Sequence, residues 1–265
     1  MSQEETDEQL FRVGFGLSEE LITRLKRARL SGRLNYKRAM LFFFCKSFKT
    51  YQGSRLLWQA GFPEDAANLA RSIYELRLQT IYLSQNPDER SKLFIKHWIK
   101  TGYGTFLHLM RAGERTWRPD IQAAVEEVRQ AAVRVGCPEI IDDPEGAEKA
   151  IAQKWWGKGG IKGLTKELDC EKEYETTYSI LSDYSHSAVR VFHVFVQLSE
   201  ASISVQCRPA KDSRLLLPFS MTAWLIQIVG YTGQAFDLGL DDLVHQAENR
   251  AISLYAPDGE AVKKK

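Results

Sequence analysis

Between Pro63 and Gln85 the chain carries a helix signature too apolar for a surface helix and too polar at two positions for an inert one. Gly61-Phe62-Pro63 interrupts what precedes it, Pro63 suits a first helical turn, and Glu64 and Asp65 stand where the positive end of the helix dipole favours carboxylates. At about 100° per residue, Ala66, Leu69, Ala70, Ile73, Tyr74, Leu76, Leu78, Ile81 and Tyr82 cover well over half the circumference, which predicts a central, buried helix. Arg71 and Glu75 lie four apart, one above the other at the edge of that face, beside Leu78 and Tyr82.

The other segments read as helices arranged around this one. Ser18 followed by Glu19 and Glu20 predicts an N-cap and a helix over 18–30, and a long helical pattern runs from Leu34 to Ala60. The short Gly61-Phe62-Pro63 link makes the segments either side of it an antiparallel hairpin. Asn86-Pro87 opens a helix reaching Arg111, with Leu93, His97, Thr101, Gly104 and His108 along one stripe; another spans 121–135, and 138–146 reads as an acidic linker. A continuous helix over 173–198 would align Tyr174, Tyr178, Ser182, His186, Val189 and His193. Residues 203–207 and 215–217 offer two short strands, and 222–236 and 241–255 close the chain as helices. The expectation is an all-α fold: a single helical-bundle-like domain over 18–256 with roughly eight to ten helices and at most one short β-hairpin. A disordered acidic leader at 1–17 and a flexible basic tail at 257–265 flank it, and the 34–85 hairpin packs on the helix containing His186.

With 265 residues, 44% hydrophobic and 26% charged, the chain can bury a full core, and no membrane partner is expected. Its longest apolar stretch, 215–231, is broken by Pro218, Ser220, Thr222 and Gln227. The four cysteines, Cys45, Cys137, Cys170 and Cys207, show no CxxC spacing, which points to reduced thiols and a cytoplasmic protein. The net charge of +2 hides an asymmetry: from Leu21 to Pro63 there is no acidic residue, while basic ones accumulate. Such a block predicts an anionic partner, RNA or DNA, held by Arg24, Lys26, Arg27, Arg33, Lys37 and Arg38. The alternative is a solvated basic face balanced by acids elsewhere in the fold.

Arg71, Glu75, Ser182 and His186 form the candidate catalytic set, two i, i+4 pairs on the two most apolar helices. If the helices meet, His186 can shuttle a proton, Glu75 orient it, and Arg71 stabilise phosphate charge. The same four residues equally suit a structural role, an ion pair and a hydrogen-bonded pair satisfying one another across an interface. No metal is expected: His186 and His193 are seven apart, about 10 Å along a helix, and His97 and His108 eleven. No cofactor is expected either, because Trp155-Trp156-Gly157-Lys158-Gly159-Gly160-Ile161-Lys162-Gly163 lacks the spacing and preceding strand of a phosphate loop and reads as a turn-rich loop.

Ala70-Arg71-Ser72-Ile73-Tyr74-Glu75, with Gly61 before it, Tyr82-Leu83 and Pro87-Asp88-Glu89-Arg90 after it, and Tyr178-x3-Ser182-x3-His186 further on, resembles a family of bacterial helical proteins of unknown function, DUF5677. The resemblance covers about residues 35–230 and implies an all-helical bacterial protein without a settled activity. A second similarity is to HEPN-type ribonucleases of toxin and defence systems, in which an arginine precedes a histidine by four to six residues on one helix. This chain departs from that pattern, since Arg190 follows His186. Two functions are therefore weighed: a module acting on or binding nucleic acid, and a non-catalytic interaction protein that dimerises through apolar surfaces.

Overall fold

The computed structural model describes residues 1–28, 31–111, 118–185, 196–198, 203–205 and 216–256, and it is built almost wholly of helices. In chain order these are α1 (Gln3–Leu25), α2 (Leu34–Gln59), α3 (Pro63–Gln85), α4 (Pro87–Arg111), α5 (Arg118–Arg134), α6 (Pro144–Ile151) and α7 (Gly160–Glu167). Glu171–Glu173, Tyr174–Tyr178 and Ser179–Ser185 then follow one another without a break as α8, whose middle segment is a π-turn, and α9 (Leu217–Ala235) and α10 (Asp241–Tyr255) complete the set.

The α2–α3 hairpin forms as the link predicts. Gly61 adopts φ 83°, a left-handed conformation that costs glycine little, and the Phe62 N–H reaches back to the Leu57 carbonyl at 2.9 Å, closing the end of α2 before Pro63 opens α3. Ala66, Ala67, Ala70, Ile73, Tyr74 and Leu78 on α3 are fully buried. Facing them is α9, apolar on nearly every side, with Met221, Leu225, Ile226, Ile228 and Val229 inaccessible to solvent. No described helix is long and apolar enough to cross a membrane.

The expected leader is instead the first half of a core helix. Ser2 accepts from the Glu5 N–H at 3.2 Å while the Glu5 carboxylate accepts from the Ser2 N–H at 2.7 Å, a capping box that starts α1 at Gln3. Asp7, Leu10, Phe11, Gly14, Leu17, Ser18 and Leu21 recur at helical spacing and are all buried. Ser18 is thus interior to the helix and caps nothing. Asp7 tolerates burial because it accepts from the Trp58 indole N–H at 3.0 Å and the Gln3 amide at 2.8 Å. One turn on, the Tyr51 hydroxyl lies 2.7 Å from Thr222 Oγ1, tying α2 to α9, and its ring packs so closely on Gly14 that any Cβ there would meet it.

Four further expectations change. The acidic stretch 138–146 is partly ordered, with a 3-10 turn at Pro138–Ile140 and the start of α6. On α4 the buried stripe is Ser91, Ile95, Ile99 and Tyr103, while Leu93 and His108 face out. The helix over 173–198 does not run through, because Val196–Leu198 is a strand, paired antiparallel with Ile203–Val205 so that Gln197 opposes Ser204. Ile203–Val205 therefore finds its partner upstream, and Leu217 belongs to α9. Val189, His193, Leu215 and the 257–265 tail lie outside the described residues.

The Trp-Gly-Lys segment is a turn anchored by aromatics. Trp155 is buried against Phe43, Tyr82, Phe94 and Trp156, with its indole N–H 2.9 Å from Gln79 Oε1. Gly157, Gly159 and Gly160 all take positive φ, so the glycines serve the turn.

Candidate functional site

Arg71 and Glu75 meet on α3 as their spacing requires, and the third member of the group comes from α8. The Arg71 Nε–H is shared between Glu75 Oε1 and the Tyr178 hydroxyl, both at 3.1 Å, and the Tyr178 hydroxyl donates to Glu75 Oε1 at 2.9 Å. The guanidinium also lies 5.0 Å from the centre of the Tyr178 ring. Tyr178 is the last residue of the π-turn, stacked on Tyr174 and packed over Tyr74. Burial, and then the charge of Glu75, push its pKa up to about 12, so at neutral pH the phenol is a hydrogen-bond donor. Ser182 sits one turn further along α8, half-buried. His186 lies outside the described residues. What is assembled among the described residues is a triangle joining α3 to α8, in which each of these bonds satisfies another member.

A second polar group on the same faces went unpredicted. Arg77, 8% exposed, donates from Nη1 to Glu173 Oε2 at 2.6 Å and from Nε to Gln227 Oε1 at 2.5 Å, joining α3, α8 and α9. The Trp224 indole N–H reaches the other Glu173 oxygen at 3.4 Å. The signal was available: position 77 is four beyond Ile73 and three beyond Tyr74, inside the apolar stripe, where an arginine needs buried partners. Beneath both groups lies Tyr74, fully buried and with no hydrogen bond from its hydroxyl among the described residues.

The basic block divides. Arg24 pairs with Glu20 and donates to the Leu238 and Gly239 carbonyls, fastening α1 to the α9–α10 link. Lys37 is buried, donates to the Ser31 carbonyl at 2.8 Å and lies over the Phe236 ring. These two do not fit the expected nucleic-acid surface, since each is consumed by the fold. Arg33 pairs with Asp88 at 3.2 Å, both side chains more than half exposed. Lys26, Arg27 and Arg38 are exposed and make no ion pair with a described residue.

Arg33 and Arg38 share one groove with a residue the sequence reading missed. The groove, about 930 Å³, runs between the first turn of α2 and the α4–α5 pair; Arg134 stands on its α5 side, Ile95 and Ala131 line it, and Trp98 rises from α4. No acidic side chain is among the described residues that line it. The first turn of α2 also lacks both a side-chain cap and an acidic residue, so the helix dipole adds to the positive field there. Nothing in the sequence brings position 134, on the helix expected over 121–135, beside position 38. No group of three or more metal-ligating side chains occurs among the described residues. Cys45, Cys137 and Cys170 are free thiols, and burial pushes the pKa of Cys45 and Cys170 up.

The model of a family of unknown function, DUF5677, matches residues 37–203, which include α3, α8 and most of the groove. No curated protein and no solved structure matches the chain.

Proposed function

The chain belongs to DUF5677, a family of unknown function, and we propose that this member is a helical module that binds nucleic acid through the groove of Arg33, Arg38 and Arg134. The observation that carries this reading is the convergence of three exposed guanidinium groups, from two distant segments, on one concave surface with no carboxylate among the described residues of its lining. Guanidinium forks match phosphate oxygens, and an Arg33–Asp88 pair this exposed is worth little, so it can exchange for phosphate. Recognition of this kind is insensitive to sequence, because backbone contacts carry no base information.

A gel-shift titration at two salt concentrations tests it. Three phosphate contacts give a slope in log affinity against log salt of about −2.7 on a duplex and about −2 on a single strand, roughly a 40-fold and a 20-fold loss between 50 and 200 mM. Arg38→Gln should flatten that slope by about one unit. Absence of binding to single- and double-stranded RNA and DNA at low salt removes the reading.

The Arg71–Glu75–Tyr178 triangle supports a structural role for the candidate catalytic set, since its bonds satisfy one another across the α3–α8 contact. Cleavage of nucleic acid by His186 with Arg71, Glu75 and Ser182 is the competing reading. If His186→Ala lowers the melting temperature by several degrees and the parent protein leaves RNA and DNA uncut, the structural role stands.

A further inference from the structure

We infer that the groove takes single-stranded nucleic acid, with one base seated in the cleft between α4 and α5 and stacked on Trp98, and the flanking phosphates held by Arg33, Arg38 and Arg134. This rests on the nucleic-acid reading and narrows it to a substrate class.

Trp98 is the anomaly that points there. It is 57% exposed, whereas Trp58, Trp155 and Trp224 are each less than a tenth exposed. Those three and Trp156 all donate their indole N–H to a named acceptor: Asp7, Gln79, Glu173 and Gly160 respectively. Trp98 has neither an indole hydrogen bond nor a ring partner among the described residues. A large aromatic face left open beside three arginines is the pairing that single-strand binders use, with a stacking platform for the base and a basic track for the backbone. In a duplex both faces of a base are already stacked, so an open indole gains nothing from it.

The surroundings of Trp98 give the base and the backbone different clefts. Trp98 lines the basic groove. It also lines a second cleft of about 590 Å³, together with the apolar Phe106, Val128 and Ala124 and the polar Gln130 and Glu127. Arg134 borders both. The apolar cleft suits a base plane and offers hydrogen-bonding groups for its edge, while the Glu127 carboxylate repels phosphate and turns the backbone toward the arginines.

The test is fluorescence anisotropy with a labelled twelve-nucleotide oligothymidine and a labelled hairpin duplex at matched salt, on the full chain and on Trp98→Ala and Trp98→Phe variants. The single strand should bind more tightly than the duplex. Trp98→Ala should weaken single-strand binding by about 5- to 100-fold and abolish the preference, as expected for loss of one stacked base. Trp98→Phe should keep most of the affinity while losing the part of the tryptophan quenching that comes from this site, a readout that a fold defect would not produce. If the duplex binds as tightly and Trp98→Ala weakens both alike, the stacking inference fails while the nucleic-acid reading survives. If Trp98→Ala leaves binding unchanged but converts a dimer to a monomer, Trp98 serves a second copy of the chain and the inference fails. If neither oligonucleotide binds, both readings fall.

Discussion

Tyr178 shows how one side chain couples the α3–α8 contact to pH. Its folded pKa, raised to about 12 by burial and by Glu75, exceeds the ordinary phenol value of 10.0. The folded state therefore holds the proton more tightly, so this contribution to stability is complete below pH 10 and is lost as the pH rises through 12. Urea midpoints should fall across that window, and Tyr178→Phe should be less stable near pH 8, by about 1 kcal/mol for the lost hydrogen bonds, yet show a shallower fall. Glu173→Gln removes the carboxylate that answers Arg77, whose side chain is only 10% exposed, and should cost about 2–3 kcal/mol, as for a lost charge-assisted hydrogen bond. Chemical denaturation with an Arg77→Met, Glu173→Gln double-mutant cycle would show whether the cost belongs to the pair. Two neighbours in the basic block should behave in opposite ways. Lys37→Ala should lower stability, because Lys37 is spent on the Ser31 carbonyl and Phe236, whereas Arg38→Gln should leave melting unchanged and act on salt-dependent binding alone.

At the level of elements, α1 decides how much of the chain is needed to fold. Deleting residues 1–17 would strip Leu10, Phe11 and Leu17 from the core, leave the Trp58 indole without Asp7 and the Tyr51 hydroxyl without its backbone neighbours. Each large apolar loss costs about 2–5 kcal/mol, comparable together to a whole domain's stability, so the truncated chain should lack the cooperative thermal transition of the parent by circular dichroism. The stripe of α1 was present in the sequence at helical spacing. It was obscured because Asp7 occupies one of its buried positions among three glutamates, and its burial is tolerable with donors that include one 51 residues away. The packing of α4 on α6 has a similar dependence on a single position. A Cβ at Gly104 would collide with the Ala147 carbonyl, so Gly104→Val should push the two helices apart and lower stability by about 1–3 kcal/mol, measurable by urea denaturation.

Across the whole molecule the core is unequal. One large cluster unites α1, α2, α3, α8, α9 and α10, whereas α4, α5 and α6 cover two small ones, around Ile95, Ile99, Ala132 and Ile140 and around Tyr103, Val125 and Ala147. Local opening should follow burial: amides of α5 should exchange with deuterium well before those of α3 and α9. The same unevenness bears on the groove, because α5 carries Arg134 and forms one wall of the Trp98 cleft. A ligand bound there should slow α5 exchange most. The sequence by itself determined the helical class, the α2–α3 hairpin with its ends, and the meeting of Arg71 with Glu75, because capping, chain reversal and i, i+4 stacking are settled within a few residues. Only the tertiary structure decided that Tyr178 closes their triangle, that Arg24 and Lys37 are consumed by the fold, and that Arg134 and Trp98 complete a groove begun by Arg33 and Arg38. Those outcomes depend on which faces pack together, which local periodicity leaves open: it marks a face as buried without naming what covers it.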